Sequence, residues 1–267
     1  MKLVKAHAYG NDFLLVDRSA VAGVSDLPAL ARRACDRHHG VGADGLVVVE
    51  PTEAGARTAL FNQDGSVAEV SGNGVRCVAV WLAHERGLRP GAGLTILTAA
   101  GPKALSMLEA DPARPTHRHR FRAAMGQPEG LRRQDLEVAG GIVPAVILRV
   151  GNPQCVVLGP LTAERLETIG GGLAVHPAFP EGTNVELALV EAPDRVRILI
   201  WERGVGPTEA SGTGACAAAV AAAAYGGAHR EVDVISPGGT QRVEWNADGI
   251  WLSGWAELVA NVDWLDV

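Results

Sequence analysis

Two serine-glycine segments of identical form are the residues in this 267-residue sequence best suited to chemistry. One reads Ser-Gly-Asn-Gly from Ser71 and the other Ser-Gly-Thr-Gly from Ser211, and each runs into a stretch predicted to be helical. Glycines there let the backbone approach a ligand closely, and the first N–H groups of a helix are unpaired donors. Each segment therefore predicts a helix N-terminus able to hold a carboxylate or phosphate.

The doubling of this segment points to a reaction on two faces of one group. Two such helix ends could grip one carboxylate from opposite sides, with the N-cap side chains flanking the neighbouring carbon. That arrangement suits inversion at this carbon, because one side chain can remove a proton while the other delivers one. A thiol suits the task best, since a helix N-terminus lowers the pKa of a cysteine. Serine is also a preferred N-cap, so a purely structural capping role stays open for Ser71 and Ser211.

The elements that must position these segments repeat along the chain. The residues from Val75 to Ala83 are apolar on nearly every side, which is typical of a buried helix. An alanine-rich stretch follows Ser211, and alanine is the strongest helix former. Short strands surround both, so the sequence predicts an α+β fold of two pseudo-symmetric halves, each wrapped around one buried helix. The proline-dense connector at residues 111–115 is the predicted junction.

The composition narrows the class of protein. Hydrophobic residues make up 47% and charged residues 20%, as in a folded soluble protein, and the net charge of −6 argues against a nucleic-acid partner. We expect no membrane segment and a cytoplasmic location, because apolar runs are short and the N-terminus lacks a signal-peptide core. The basic run at 116–122 is interpreted as a solvated strand or connector. The four cysteines have neither disulfide-framework nor metal-site spacing.

Several motifs in a fixed order resemble the diaminopimelate epimerase family, within the proline-racemase-like superfamily. They are AYGNDFLLVD, CDRHHGVGADGL, LFNQDGSVAEVSGNGVRC, VGNPQCVV, FPEGTNVE and IWERGVGPTEASGTGACAA. The resemblance covers essentially the whole chain. It implies an amino-acid epimerase that interconverts LL- and meso-diaminopimelate in lysine biosynthesis, by two-base proton transfer at the α-carbon. It also implies a homodimer that needs neither an organic cofactor nor a metal.

The resemblance further implies two domains, each a strongly curved, mostly antiparallel sheet around a buried central helix, with the substrate bound between them. We place the N-terminal domain at residues 1–115, completed by the tail at about 260–267, and the C-terminal domain at residues 116–259. The implied ligand is a small amino acid such as diaminopimelate. The implied substrate-binding residues match the family motifs one by one, and they are Asn11, Asn62, Gly72, Asn73, Asn152, Asn184, Glu202, Arg203, Gly212 and Thr213.

The implied catalytic positions depart from the family pattern. The two catalytic cysteines of the family fall at Ser71 and Ser211, and a family histidine falls at Gln154. A hydroxyl is a weaker acid than a thiol and needs an activating neighbour to act as a base. Glu69 and Glu209 are candidate neighbours, although an acid near a helix N-terminus is also stabilising on its own.

Three interpretations stay open on the sequence. The first is an epimerase of this family in which the cysteine pair is a serine pair. The second is a dehydratase or isomerase that acts on another small carboxylic acid in the same scaffold. The third is a protein that binds diaminopimelate or a similar amino acid without catalysis.

Overall fold

The computed structural model describes residues 1–265, which fold into two compact units. The first unit comprises Met1–Ala123 together with the chain from Gly254 onward, and the second comprises Ala124–Ser253. The chain passes from one unit to the other inside two strands rather than through loops. In each unit a helix lies among strands, which confirms the predicted α+β fold with a buried central helix.

The first unit begins at the N-terminus with a pair of strands. After the second strand comes a short 3-10 helix at Arg18–Val21. The strands and helices, in chain order, are β1 Lys2–Ala8, β2 Asn11–Asp17, α1 Leu27–Cys35, β3 Gly45–Thr52, β4 Gly55–Asn62, β5 Val67–Ala68, α2 Gly72–Arg86, β6 Gly93–Thr98, β7 Gly101–Ala110 and β8 Arg118–Gly126. The last strand continues beyond Ala123 into the second unit.

The second unit adds one strand and then follows the same order of elements. These elements are β9 Glu129–Val138, β10 Gly141–Val150, β11 Asn152–Leu158, α3 Ala163–Ala174, β12 Asn184–Ala192, β13 Arg195–Glu202, β14 Gly206–Thr208, α4 Gly212–Tyr225, β15 Glu231–Ser236, β16 Gly239–Asn246 and β17 Gly249–Asp263. From Gly254 onward β17 belongs to the first unit.

The strand pairings of the two units also correspond. In the first unit β1–β2 is antiparallel, β2–β3 parallel and β3–β4 antiparallel, and β4 pairs with both β5 and β6. In the second unit β10–β11, β11–β12 and β12–β13 have the same orientations in the same order, and β13 pairs with both β14 and β15. The two units therefore have the same topology although their residues differ, and most of the strand pairings in each unit are antiparallel.

The two central helices are buried, as the apolar sequence of α2 and the alanine-rich sequence of α4 predict. Every residue of α2 from Gly72 to Val80 is buried, and so is every residue of α4 from Gly212 to Ala222. Small alanine side chains let strands pack closely against α4. The C-cap of α2 is Gly87 at φ 60°, a left-handed conformation that glycine adopts without strain.

A second helix packs against the other face of the sheet in each unit. In the first unit α1 buries Leu30, Ala31 and Ala34 in an apolar cluster with residues of β2 and β3. In the second unit α3 buries Leu166 and Leu173 in the corresponding cluster. Both helices are amphipathic, so one face packs on the sheet and the other meets solvent.

The basic run at 116–122 forms part of β8 from Arg118 onward. The run at 116–122 was expected to be solvated, which is wrong for His119 and Phe121, because both are buried where β8 alternates between its two faces. The four cysteines are free, and all four are buried. Among residues 1–265 the structure contains no helix long and apolar enough to cross a membrane.

The predicted domain boundaries stay a prediction. Residues 111–115 lie in the turn between β7 and β8, and the units divide between residues 123 and 124, eight residues after the predicted position. At the other end the units divide between residues 253 and 254, six residues before the predicted tail. Residues 266 and 267 of that tail lie outside the described part of the chain.

Candidate functional site

In the first unit Ser71 caps the central helix. Its backbone is extended, and its hydroxyl oxygen accepts a hydrogen bond from the N–H of Gly74 at 3.0 Å. This is the standard N-cap arrangement, which satisfies one of the free donors at the start of a helix. The hydroxyl is therefore held beside the first turn of α2, and the N–H groups of that turn point toward the same region.

Asn73 joins this helix end to the first β-hairpin. Its Nδ2 donates to Asn11 Oδ1 at 3.1 Å, and its Oδ1 accepts from the guanidinium of Arg76. Arg76 has no exposed surface, and its guanidinium lies 5.9 Å from the centre of the Tyr9 ring. Tyr9 has a left-handed φ of 56°, and its hydroxyl accepts from the N–H of Trp255 at 3.0 Å. A buried cation thus supports the helix end in the first unit.

A cluster of ion pairs fixes Asn11 from its other side. Asn11 Nδ2 donates to Asp44 Oδ2 at 2.7 Å, and Arg37 bridges Asp44 Oδ1 at 2.7 Å and Asp12 Oδ1 at 2.8 Å. Lys5 Nζ lies 3.0 Å from Asp12 Oδ2. Burial alone would raise the pKa of Asp12, but the hydrogen bonds and charges of Arg37 and Lys5 outweigh it and lower that pKa. Asp12 is therefore a buried anion that two cations neutralise.

A cavity of about 370 Å³ adjoins Ser71 within the first unit. Its wall is formed mainly by apolar side chains of β3, β4, α2 and β6, with Arg57, Glu69 and Ser71 among the polar lining residues. A carboxylate is poorly solvated by such a wall. Ser71 consequently lies between an apolar space and a helix N-terminus that attracts anions.

The second unit repeats the cap with a more buried serine. Ser211 is 3% exposed, and its hydroxyl oxygen accepts from the N–H of Gly214 at 3.2 Å. Thr213, at the position that Asn73 occupies in the first unit, has its hydroxyl 3.5 Å from that of Ser211. Two hydroxyls and the free N–H groups of the first turn of α4 therefore lie together.

A buried acid supports this second helix end. Glu186 of β12 has no exposed surface, and a Cβ added to Gly214 would lie 2.5 Å from Glu186 Oε1. A side chain at position 214 would therefore force the Glu186 carboxyl group to shift. Burial raises the pKa of Glu186 well above its ordinary value of 4.5, and the charge of Glu202 raises it further.

The Gln154 side chain connects Glu186 to the helix end, and its amide has two possible orientations. In one, its nitrogen donates to Asn152 Oδ1 at 2.6 Å. The second orientation follows from a 180° rotation of the amide group. In it, the Gln154 nitrogen donates to Glu186 Oε1 at 3.0 Å and the Gln154 oxygen accepts from the Thr213 hydroxyl at 3.1 Å. The first orientation places the amide oxygen next to the Glu186 carboxyl, which is favourable when that carboxyl carries a proton.

A third group of residues forms the corner after β13. Asn184 Oδ1 accepts from the N–H of Arg203 at 2.9 Å, so the first residue of β12 holds the chain as it leaves β13. Glu202 is the last residue of that strand, and the Arg203 side chain donates to the carbonyl of Glu181. A carboxylate and a guanidinium lie side by side in sequence here, and such groups can bind the amine and the carboxylate of an amino acid.

The structure groups most of the residues implied by the motifs within their own units. In the first unit it brings together Ser71, Gly72, Asn73 and Asn11. Asn62 bonds within its own turn, where its Nδ2 donates to the Ser66 hydroxyl at 2.9 Å. In the second unit two groups form, and they are Asn152, Ser211, Gly212 and Thr213 around Gln154, and Asn184 with Glu202 and Arg203.

Sequence reasoning missed Glu186 and Arg76. Each is a lone charged residue inside an apolar element, NVELALV and GVRCVAVW, and that pattern is the signal that could have identified them. Cys77 and Cys216 are buried within the central helices, and burial raises the pKa of Cys77. Glu69 and Glu209, the proposed activating neighbours, are exposed.

Comparison with known proteins identifies relatives along the whole chain. The sequence pattern of the family described as diaminopimelate epimerase matches residues 3–128 and 146–259. A diaminopimelate epimerase of Desulforudis audaxviator is 42% identical over 286 residues, which is 99% of each chain. One from Pelotomaculum thermopropionicum is 39% identical and covers 97% of each.

Solved structures share the fold at lower identity. A predicted epimerase from Pseudomonas aeruginosa has a TM-score of 0.74 at 16% identity, covering 100% of this chain and 99% of its own. A hydroxyproline epimerase from Agrobacterium vitis, with bound trans-4-hydroxy-L-proline, has a TM-score of 0.73 at 17% identity and coverage of 100% and 93%. These likenesses show the fold, and the sequence pattern and the sequence relatives show the family. The chain belongs to the diaminopimelate epimerase family, whose members are isomerases of the epimerase type.

Proposed function

We propose that this protein interconverts LL- and meso-diaminopimelate in lysine biosynthesis, with Ser71 and Ser211 at the two proton-transfer positions. One position accepts the α-proton, the substrate carboxylate takes up the resulting negative charge, and the other position delivers a proton to the opposite face. The proposal requires both serines to reach one α-carbon. It also assigns the distal amine and carboxylate of the substrate to Glu202 and Arg203.

The doubled helix N-terminus is the observation that carries this proposal. In both units a serine caps a buried helix through the N–H three residues later, at 3.0 Å in α2 and 3.2 Å in α4. In both units the residue two positions after the serine, Asn73 or Thr213, takes part in a polar network. Such an end stabilises a carboxylate and the charge that builds up on it during deprotonation.

The serine hydroxyls predict a slow reaction. A hydroxyl at a helix N-terminus is rarely ionised near neutral pH, whereas a cysteine in that position forms a thiolate readily. General acid–base catalysis by a well-matched group contributes roughly 10²–10⁴ in rate. We therefore expect restoration of the thiols to raise the rate by about 10² or more.

Hydrogen exchange at the α-carbon tests the proposal. LL-diaminopimelate incubated in heavy water with the protein should gain deuterium slowly at its α-carbon, and faster with the Ser71→Cys/Ser211→Cys protein. The matched control is Ser71→Ala/Ser211→Ala, which removes both hydroxyls and should abolish exchange. Equal exchange in the wild-type and alanine proteins would overturn the roles given to the serines.

A second candidate function is binding of diaminopimelate without catalysis. It is favoured by one observation, namely that both hydroxyl oxygens already accept an N-cap hydrogen bond, so the serines are fully accounted for as caps. Calorimetry separates the two candidates. Clear binding of diaminopimelate without deuterium uptake after long incubation would establish the binding function and exclude the epimerase function.

A further inference from the structure

A buried acid next to the second helix end is neither among the substrate-binding residues assigned from the motifs nor part of the proposed proton transfer. Glu186 is fully buried, and its carboxyl lies against the backbone of Gly214 in the first turn of α4. Burial raises the pKa of Glu186, and the charge of Glu202 on β13 raises it further. Burial also raises the pKa of Cys155 on β11, and Glu186 raises it further. An ionised carboxylate is costly when it is buried close to another negative charge.

The protonation state of Glu186 decides which group donates the hydrogen bond between Glu186 and Gln154. An ionised carboxylate only accepts hydrogen bonds, so it would require the Gln154 nitrogen at the 3.0 Å contact with Oε1. A neutral carboxylic acid has one O–H donor, so it can instead donate to the Gln154 oxygen at that contact. The Gln154 nitrogen is then free to donate to Asn152 Oδ1 at 2.6 Å.

We propose that Glu186 is a positioning residue for carboxylate binding, and that as a neutral acid it fixes the Gln154 amide with its nitrogen toward Asn152 and Thr213. This inference rests on the proposed function, because it assigns a substrate carboxylate to the end of α4. The proton stays on Glu186 throughout and is not transferred to substrate.

The fixed amide decides which groups the helix end offers to a ligand. When Gln154 donates to Asn152 Oδ1, the Nδ2 group of Asn152 remains available as a donor. When Gln154 donates to the Thr213 oxygen, the Thr213 proton also remains available. Two donors then complement the N–H groups of α4, which suits an anion.

Ionisation of Glu186 would reverse this arrangement. The Gln154 amide would turn, and its oxygen would face Asn152 and the Thr213 hydroxyl, which lies 3.1 Å away. Thr213 would direct its proton inward, and Asn152 would turn its nitrogen inward and present its oxygen to the ligand. A site of donors would become a site of acceptors, and the affinity for a carboxylate would fall.

Infrared spectroscopy tests the protonation state directly. The difference spectrum of wild-type protein minus the Glu186→Gln protein at neutral pH should show the stretching band of a protonated carboxylic acid. The exposed Glu137 of β9 supplies the control, since Glu137→Gln should leave the Glu186 band unchanged. Absence of the protonated band at neutral pH would overturn the inference, whether or not the protein binds diaminopimelate.

Binding measurements test the positioning role. In Glu186→Gln the new amide can still donate to the Gln154 oxygen, so calorimetry should give a Kd for diaminopimelate close to that of wild type at neutral pH. Glu186→Met has similar volume but no donor, and its Kd should rise about tenfold. Equal weakening by both variants would overturn the positioning role.

The pH profile of Kd separates this role from simple loss of packing. Wild-type affinity should fall with rising pH relative to Glu186→Gln, while ionisation of the ligand amines affects both proteins alike. Parallel profiles would contradict the inference. If neither wild type nor the variants bind diaminopimelate but the protonated band is present, the proposed function is wrong. The assignment of Glu186 as a neutral acid beside Gln154 would still be supported.

Discussion

The two units share a topology and a capped helix, but they support the helix end with opposite chemistry. In the first unit the support is a cation, Arg76, which lies in the helix itself and bonds to Asn73. In the second unit it is an acid, Glu186, which lies in a neighbouring strand and acts through Gln154. The repeated backbone therefore fixes where the serines lie, while non-repeated residues decide the charge around them.

The two units also differ in the pKa of a buried acid, which is Asp12 in the first unit and Glu186 in the second. Asp12 in the first unit is neutralised by Arg37 and Lys5, and its pKa is lowered. Glu186 in the second unit is buried near another acid, and its pKa is raised. A duplicated fold can thus place one unit's acid in its ionised form and the other's in its neutral form, which gives the two halves different roles.

The largest expected effect concerns pH and stability. A folded-state pKa raised above the unfolded value of 4.5 stabilises the protein below that value, and the contribution of Glu186 is lost as pH rises toward its folded-state pKa. The lowered pKa of Asp12 acts oppositely, so its contribution is lost as pH falls below 3.8 toward its folded-state pKa. Urea denaturation should show wild type losing stability relative to Glu186→Gln above pH 4.5, at up to about 1.4 kcal/mol per pH unit. A constant difference would show that Glu186 is not neutral in the folded protein.

The two equivalent glycines should respond differently to alanine. A Cβ at Gly214 would lie 2.5 Å from Glu186 Oε1, whereas one at Gly74 would meet Ser71 Cβ at 3.2 Å. We expect Gly214→Ala to lower the free energy of unfolding by about 1–3 kcal/mol through overpacking. Gly74→Ala should stay within about 1 kcal/mol of wild type, because better helix propensity offsets a mild contact. Equal costs in urea denaturation would contradict the asymmetry.

Cysteines placed at the two caps should differ in acidity. Ser71 is half-buried and Ser211 is buried, and burial raises the pKa of a thiol. Ser71→Cys should therefore have about tenfold more thiolate at neutral pH than Ser211→Cys, as measured by ultraviolet absorbance against pH. Burial raises the pKa of Cys35 to about 12 and also raises the pKa of Cys77 and of Cys155, so these three thiols contribute little absorbance at neutral pH. A more acidic thiol at position 211 would reverse the comparison.

The smallest expected difference is between the caps themselves. Ser71→Ala and Ser211→Ala each remove one hydrogen bond to the N–H of the third helical residue. Each should cost about 1 kcal/mol in thermal or urea unfolding, because that is the typical value of an N-cap. Similar losses would show that the units are equivalent as folds even though their polar supports differ. A large loss at only one position would place the asymmetry in the caps as well.

Local patterns predicted the features that depend on neighbouring residues. The serine-glycine segments identified both helix N-termini and their caps, and apolar or alanine-rich runs identified the buried helices. Those features follow from capping, propensity and burial, which act over a few residues.

Features that depend on contacts between distant segments were not predictable in this way. Glu186 and Gln154 meet because β11 and β12 are parallel neighbours, although they lie 32 positions apart in sequence. A single acid in NVELALV does not reveal which face of the strand it occupies. Its neutral state also depends on burial by α4 and on the charge of Glu202, so it could be inferred only from the assembled unit.

Because the chain changes units inside two strands, the two units complete their folding at different times during translation. β1 pairs with the last part of β17, from Lys2 opposite Asp263 to His7 opposite Glu257. The second unit, in contrast, is one continuous stretch from Ala124 to Ser253. As the chain leaves the ribosome, the second unit is complete while β1 still lacks one neighbour and exposes an open strand edge. The unit that is translated first is thus the one that must finish folding last.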